Sequence, residues 1–395
     1  MDDSSPLDRL RALIAGDEAL QDRLAVFEDR DAFAAAAAEI AVVHGIALTS
    51  TAIVQQVTPD PLGLDRFDTR PPDFAGWPGR RWLPVAVQQT QGGLAVDWRH
   101  FGALRLDAPF YEESARSAQR HPLNALLRLR TPIATLLAPP PADAAGAPDA
   151  LIFHMSRCGS TLVSQMIAAM PGSVMVSEAA PLDTTVQLVM LNPNVALEER
   201  VGLLRGMAAA LGRDRFGDRQ RFVIKLDSWH SLALPLFRAA FPDTPWLFLF
   251  RDPVEVMVSQ VRDRGIQTVP LVLPESIYGI VDPHSYSAEE FIAQVLARVN
   301  AAAIAHAATG HALFVDYADL PGALETRILP HFGIAADAVA LDRAHATIAN
   351  NAKAPRSPFA SDAEEKRRAA SDAARAAAAT HLDDLHRQLT ALAAR

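Results

Sequence analysis

The sequence predicts an α/β protein with a doubly wound parallel sheet, preceded by a small helical segment and a region that contains a β-hairpin. Three observations carry that prediction. The runs Leu151–Phe153, Ser173–Ser177, Arg221–Leu226 and Trp246–Phe250 read as short strands, and the last two are continuous enough to be buried on both faces. Stretches with helical spacing alternate with them, at Leu182–Leu191, Leu197–Leu211 and His230–Phe241. Finally, His154, Arg157, Glu178, Lys225, Asp227 and Arg251 all fall at or just beyond the carboxyl ends of these strands, where open α/β sheets bind their ligands.

Taken in order, residues 1–50 form a helical segment. Leu7, Leu10, Leu13 and Ile14 recur at helical spacing, as do Leu20, Leu24 and Phe27, then Phe33 to Val43, with Gly16 and Gly45 as punctuation. Residues 58–138 are an accessory region. It opens on a Pro-, Gly- and Asp-rich surface connection and continues with a hairpin, Trp82–Gln88 and Leu94–Trp98 around Gln91-Gly92-Gly93, then helical spacing from Tyr111 to Leu137. Its aromatic residues, Trp77, Trp82, Trp98, Phe101, Phe110 and Tyr111, fit a satellite core or the wall of a binding site. Residues 139–150, rich in proline and poor in large apolar groups, read as a linker, and residues 151–395 as the α/β domain with a C-terminal helix.

With 395 residues, half of them hydrophobic, the chain can bury a large core. No uninterrupted apolar stretch approaches the roughly 20 residues of a membrane span, and the acidic start is unlike a secretory signal, so a cytoplasmic protein is expected. Cys158 is the only cysteine, which excludes an intramolecular disulfide and a cysteine-based zinc site. The twelve histidines show no HExxH or comparable spacing, and no metal is expected. A formal charge of -9 argues against broad nucleic-acid binding, which needs a basic face to displace counterions. Oligomeric state is not legible.

The most informative stretch is Leu151-Ile-Phe-His-Met-Ser-Arg-Cys-Gly-Ser-Thr-Leu162, read as strand, anion-binding turn and helix. A helix start offers free N–H groups and the positive end of its dipole. Gly159 lets the backbone approach an anion, Ser160 and Thr161 add hydroxyls, and Arg157 adds charge. The GxxxxGK[ST] loop of nucleoside triphosphatases is not matched, since position 154 is His and Ser160 follows Gly159. A second stretch, Arg251-Asp-Pro-Val-Glu-Val-Met-Val-Ser259, puts an arginine at a strand end and a serine eight residues on. Guanidinium and hydroxyl together suit a phosphate.

Arg157, Cys158, Gly159, Ser160 and Thr161 resemble the 5'-phosphosulfate loop of the sulfotransferase family, and Arg251 with Ser259 resembles its 3'-phosphate motif. Leu313-Phe-Val-Asp-Tyr-Ala-Asp-Leu320 and His331-Phe332-Gly333 extend the resemblance over about residues 150 to 335. It implies a P-loop-like fold and transfer of a sulfuryl group from 3'-phosphoadenosine 5'-phosphosulfate to an acceptor hydroxyl or amine, on a small molecule or peptide. It also implies that a late basic loop covers the 3'-phosphate, for which Lys353 and Arg356 are the candidates. Two departures stand out. The usual glycine-rich version of that loop is missing, and where cytosolic members carry Lys-Thr-His with the histidine as base, this chain has Lys225-Leu226-Asp227.

Glu178, 21 residues beyond Arg157, resembles the glutamate base of the sulfotransferases that act on protein tyrosines. Partial burial would raise its pKa. Asp227 and His230 are reserve bases. Lys225 is expected to neutralise the transferring group, while His154 reads as a packed histidine. A nucleotide-dependent kinase of related fold and a non-catalytic peptide- or nucleotide-binding module remain alternatives. The first 45 or so residues resemble the helical leader-peptide segments named from nitrogen-fixation genes, which would imply peptide docking.

Overall fold

Strands β1 (Trp82–Thr90), β2 (Gly93–His100) and β3 (Leu129–Pro132) build an antiparallel sheet in that order, while β4 (Ala150–His154), β5 (Ser173–Ser177), β6 (Arg221–Lys225), β7 (Trp246–Phe250) and β8 (Ala312–Asp316) build a parallel one in the order β5-β6-β4-β7-β8. The computed structural model describes residues 5–58, 74, 76–347, 350–351, 354–358 and 363–395, and only the backbone of 350–351, 354–358 and 363. The protein is thus of the α/β class. Every residue of β4, β6 and β7 is buried, which is why these runs carry no polar alternation.

The connections explain where ligands can enter. From β4 the chain runs through the helix Ser160–Ala168 to β5, and through Ala180–Leu191 and Leu197–Leu211 back to β6 beside β4. It then crosses to the other side, reaching β7 through a 3-10 turn at Ser228–Ala233 and the helix Leu234–Ala240. Strand order therefore reverses at β4. A reversal of this kind splays the loops at the strands' carboxyl ends and leaves a crevice. The long helix Ala288–Ala305 opens on a Ser287–Glu290 capping box. By length and composition it could cross a membrane, but Phe291, Ile292, Val295, Leu296 and Val299 bury one face of it in the core.

Two expectations are corrected. The helical spacing from Tyr111 to Leu137 is broken: helices cover Tyr111–Gln119 and Pro122–Leu126, and Leu129–Pro132 pairs with β2, with Leu129 opposite Trp98. Pro122 can start a helix but not continue one, and the alternation of Leu129 and Thr131 inward with Arg130 less buried is a strand's. Residues 139–150 do not hang free as a linker. Ala145 is buried and its N–H bonds Ala209 O (3.3 Å), while Asp143 takes a 2.6 Å bond from the fully buried Arg213. The helix Leu197–Leu211 also touches the 3-10 turn Ile133–Leu137 so closely that a Cβ at Gly206 would stand 2.0 Å from Leu136 O.

At the amino end, helices Pro6–Ala15, Glu18–Leu24, Arg30–Val43 and Ser50–Val57 are each capped by a side-chain oxygen, from Ser5, Asp17, Asp29 and Thr49. Gln21 ties them to the small sheet, giving its amide N–H to Ile14 O (2.9 Å) and accepting from Trp82 Nε1 (2.8 Å). Most of the aromatic residues noted in the accessory region form a satellite core. Trp82 and Trp98 are fully buried, with Trp98 Nε1 bonded to Thr131 Oγ1 (3.0 Å) and Tyr111 Oη to Pro84 O (2.7 Å).

Candidate active site

At the carboxyl ends of β4 to β8 lies a cavity of about 390 Å³. Its floor is the turn after β4. Ser156, Arg157 and Gly159 all have positive φ (76°, 53° and 83°), so the backbone turns sharply before the helix that follows. The helix Ser160–Ala168 has no side-chain cap, and Val163 N–H is bonded to Gly159 O (3.2 Å). The N–H groups of Ser160, Thr161 and Leu162 therefore find no backbone carbonyl among the described residues. Gly159 is required twice over. Its φ suits glycine, and a Cβ there would meet Tyr317 Cδ2 at 2.7 Å and Leu320 Cδ1 at 3.0 Å. Gly159→Ala is expected to cost about 2 to 4 kcal/mol, read as a lower urea midpoint with unchanged m.

The residues singled out from the sequence converge here unevenly. Arg157, Cys158, Gly159, Ser160, Thr161, Glu178, Arg251 and Ser259 all line the cavity, as do His154 and Asp227. Cys158, however, turns its side chain away: Sγ bonds Leu249 O (3.1 Å) and burial pushes the thiol up to about 12. Only its backbone can serve a ligand. Lys225 is not among the lining residues. It lies fully buried behind Glu178 and pairs with that carboxylate, 4.9 Å from the centre of the Phe110 ring. Lys353 lies outside the described residues, and of Arg356 only the strand backbone Ala354–Pro358 is described.

Arg157 and Arg251, like Lys225, are already matched to carboxylates. Arg157 bonds the Asp263 carbonyl and carboxylate, the latter at 2.5 Å. Arg251 donates from Nε to Glu255 Oε2 (2.7 Å), and its guanidinium lies 4.0 Å from the centre of the Tyr317 ring. Glu255 is itself buried and also binds Arg367 (2.8 Å), while Ser259 Oγ donates to Glu255 O (2.9 Å). Arg367 belongs to the helix Ala363–Ala369, whose Lys366 lines the cavity. Sequence reasoning missed Tyr317 and Lys366 as site residues. Tyr317 had a signal, since it follows a strand end, whereas Lys366 sits in a charged run, two glutamates followed by three basic residues, with none.

Glu178 departs from its expected state. Burial pushes its carboxyl up, but the Lys225 ammonium and a contact with His154 Nε2 (3.4 Å) together outweigh that and hold it well below the usual carboxylate range. His154 is fixed as one tautomer: Nδ1 accepts Ser156 N–H (3.0 Å), so Nε2 carries the proton and points at Leu226 O (2.9 Å) and Glu178. Burial keeps this imidazole neutral by pushing its pKa down.

Asp227 behaves oppositely. Burial first, then the carboxylates of Glu178 and Asp183, push it well above the ordinary range, and its Oδ2 is buried with no partner among the described residues. Two neighbouring carboxyls with opposite displacements are the arrangement from which acid and base roles arise. A raised folded pKa gives stability that is complete below the unfolded value of 3.8 and is lost as pH rises through the folded one. Asp227→Asn, which keeps an acceptor for His230 N–H, should therefore stabilise by about 1 kcal/mol at pH 7 and little at pH 4, in paired thermal melts.

Asp183, Asp227 and His230 bring ligand atoms within 4.8 Å of one another, a spacing that could hold a metal ion. Hydrogen bonds occupy the Asp183 and His230 atoms, while Asp227 Oδ2 has no partner among the described residues. Asp183 accepts from Trp229 Nε1 (2.8 Å), Gln187 Nε2 (2.7 Å) and His230 Nε2 (3.1 Å), and His230 Nδ1 accepts Asp227 N–H (3.3 Å). The cluster works as a support for the 3-10 turn after β6.

No protein-family model and no curated protein sequence matches the chain. Among solved structures it is similar to the sulfotransferase domain of the curacin biosynthetic pathway (16% identity over 51% of this chain and 78% of that one, TM-score 0.33). It is also similar to the sulfotransferase domain of the Synechococcus PCC 7002 olefin synthase (16%, 65% and 98%, TM-score 0.36) and to the sulfotransferase STF9 of Mycobacterium avium (12%, 61% and 78%, TM-score 0.37). None of these matches supports the leader-peptide resemblance of the first 45 or so residues. Likenesses this distant leave the site's own residues to carry any functional statement.

Proposed function

We propose that the protein is a sulfotransferase that uses 3'-phosphoadenosine 5'-phosphosulfate. The observation that carries this reading is the convergence on one cavity of an uncapped helix start with Arg157, Ser160 and Thr161, a buried arginine with a serine two turns on, and two carboxyls in opposite states. Arg157 and the N–H and hydroxyl groups of Gly159, Ser160 and Thr161 would take the 5'-phosphosulfate, and Arg251, Ser259 and Lys366 the 3'-phosphate. Lys353 and Arg356 remain proposed for the same end of the nucleotide.

The acceptor oxygen attacks sulfur in line as the bond from sulfur to the 5'-phosphate oxygen breaks, and the acceptor's proton passes to a carboxylate. Glu178 is our assignment for that carboxylate. Lys225 acts through it, keeping it ionised, rather than on the transferring group. Asp227 is the competing base, favoured by its raised pKa. The two part in a pH profile: with Glu178 the rate stays flat from neutrality down to mildly acidic pH, and with Asp227 it climbs as that carboxyl ionises.

Calorimetric titration with adenosine 3',5'-bisphosphate, AMP and ATP tests the donor assignment. Tight binding that requires the 3'-phosphate supports it. Preference for ATP would transfer the site to a kinase, and nucleotide binding without turnover on any acceptor would favour a binding module.

A further inference from the structure

The connection from the helix Leu197–Leu211 to β6 carries Arg213-Asp214-Arg215-Phe216-Gly217-Asp218. It enters the parallel sheet at the amino ends of the strands, away from the candidate active site. Most of its charges are matched. Arg213 binds Asp143, Pro78 O and Gly79 O, Asp214 Oδ1 accepts the N–H groups of Gly217 (2.8 Å), Asp218 (3.2 Å) and Arg219 (3.3 Å), and Asp218 takes a 2.7 Å bond from Arg105. Arg215 is the exception. It is 5% exposed, its Nη1 is buried without a hydrogen-bond partner, and no carboxylate pairs with it among the described residues.

The guanidinium lies 4.9 Å from the centre of the Phe216 ring and 5.5 Å from that of Phe101. Aromatic faces attract a cation, but they do not replace the oxygen acceptors that its N–H groups lose on leaving water. Burial, with Arg81 and Arg105 adding repulsion, pushes the pKa down to about 10, so the charge persists at neutral pH. A buried, unpaired charge is unfavourable unless something of opposite sign reaches it.

Such a partner has a place. Arg215 lines a cavity of about 20 Å³ together with Ser173, the first residue of β5, and Arg105, whose guanidinium lies 4.4 Å from the centre of the same Phe216 ring. Ser173 Oγ accepts from Arg221 Nη1 (3.1 Å), and its own proton finds no acceptor among the described residues. The carboxylates of Asp214 and Asp218, which also line the cavity, are already bonded. Room for about one water-sized particle is too little for sulfate or phosphate. We infer that Arg215, Ser173 and Arg105 hold one small anion of chloride size, which neutralises the buried guanidinium and ties the accessory region to the parallel sheet. The inference does not depend on the sulfuryl-transfer reading.

Thermal melts of the full chain in sodium chloride and in sodium gluconate, at equal ionic strength, test it, since gluconate is too large to enter. Wild type should melt about 2 °C or more higher in chloride, with an effect that saturates, as expected of a ligand bound only by the folded chain. Arg215→Met, similar in length and uncharged, should lose that difference and should match or exceed wild type in gluconate, because the unpaired charge is gone. Crystals of wild type soaked in sodium bromide supply a readout that needs no variant: an anomalous peak should stand against the Arg215 guanidinium. Equal melting of wild type in the two salts, a chloride response that survives Arg215→Met, a variant less stable than wild type in gluconate, or no bromide peak beside Arg215 would each overturn the inference. A peak without any response of the melts would be an adventitious ion only, and would overturn it equally.

Discussion

Arg251→Ala should weaken adenosine 3',5'-bisphosphate by two orders of magnitude or more while leaving AMP, which lacks the 3'-phosphate, nearly unaffected. Two charge-assisted hydrogen bonds from one guanidinium are together worth about 3 kcal/mol or more, and 1.4 kcal/mol is a factor of ten. The geometry sharpens this. Arg251 is buried, stacked on Tyr317 and bonded to Glu255, so it is held in place before any ligand arrives and little ordering entropy is lost on binding. Glu255 keeps Arg367 as a second partner, so the lost guanidinium does not strand a buried carboxylate. Arg251→Lys keeps the charge but not the fork and should recover only part of the affinity. Equal loss for AMP and the bisphosphate would mean that the mutation damages the site generally, and the assignment of Arg251 to the 3'-phosphate would fall.

The strands that place this site are legible in the sequence because a strand buried on both faces has to be written in apolar residues. Ser173–Ser177 and Trp246–Phe250 are observed with the bounds their composition gives, and Arg221–Leu226 ends one residue earlier. Between Tyr111 and Leu137 the same reasoning fails, since a four-residue strand is too short to impose a period against its helical neighbours. The turn Arg157–Thr161 is legible because glycine, hydroxyls and a cation are all local. What sequence cannot show is pairing across distance. Asp263 on Arg157, Glu255 on Arg251 and Glu178 on Lys225 turn three apparently free cations into ion pairs. Asp263 is 78% exposed, so its hold on Arg157 is heavily screened and easily exchanged for an incoming anion, whereas the two buried pairs are fixed parts of the site.

Lys225 and Glu178 carry the largest expected stability effect. Lys225→Met removes the ammonium that outweighs the burial of Glu178 and leaves a carboxylate, 24% exposed, with only a neutral imidazole beside it. Breaking one side of a buried pair costs about 3 to 5 kcal/mol, and replacing both sides by neutral groups of similar shape restores most of it. The double variant Lys225→Met/Glu178→Gln should therefore unfold at a denaturant midpoint much nearer wild type than Lys225→Met alone. The pH dependence has a definite sign. Glu178 has its folded pKa depressed below the unfolded value near 4.5, so its contribution is present above that value and is lost as pH falls through the folded one. Without Lys225 the carboxyl is free to take up a proton at mildly acidic pH, and the gap between single variant and wild type should narrow steadily as the solution is acidified below neutrality. A gap that stays constant down to pH 3 would show that Lys225 stabilises by packing its stem against Phe110 rather than by charge, and Glu178 would lose the ionised state on which its role as base depends.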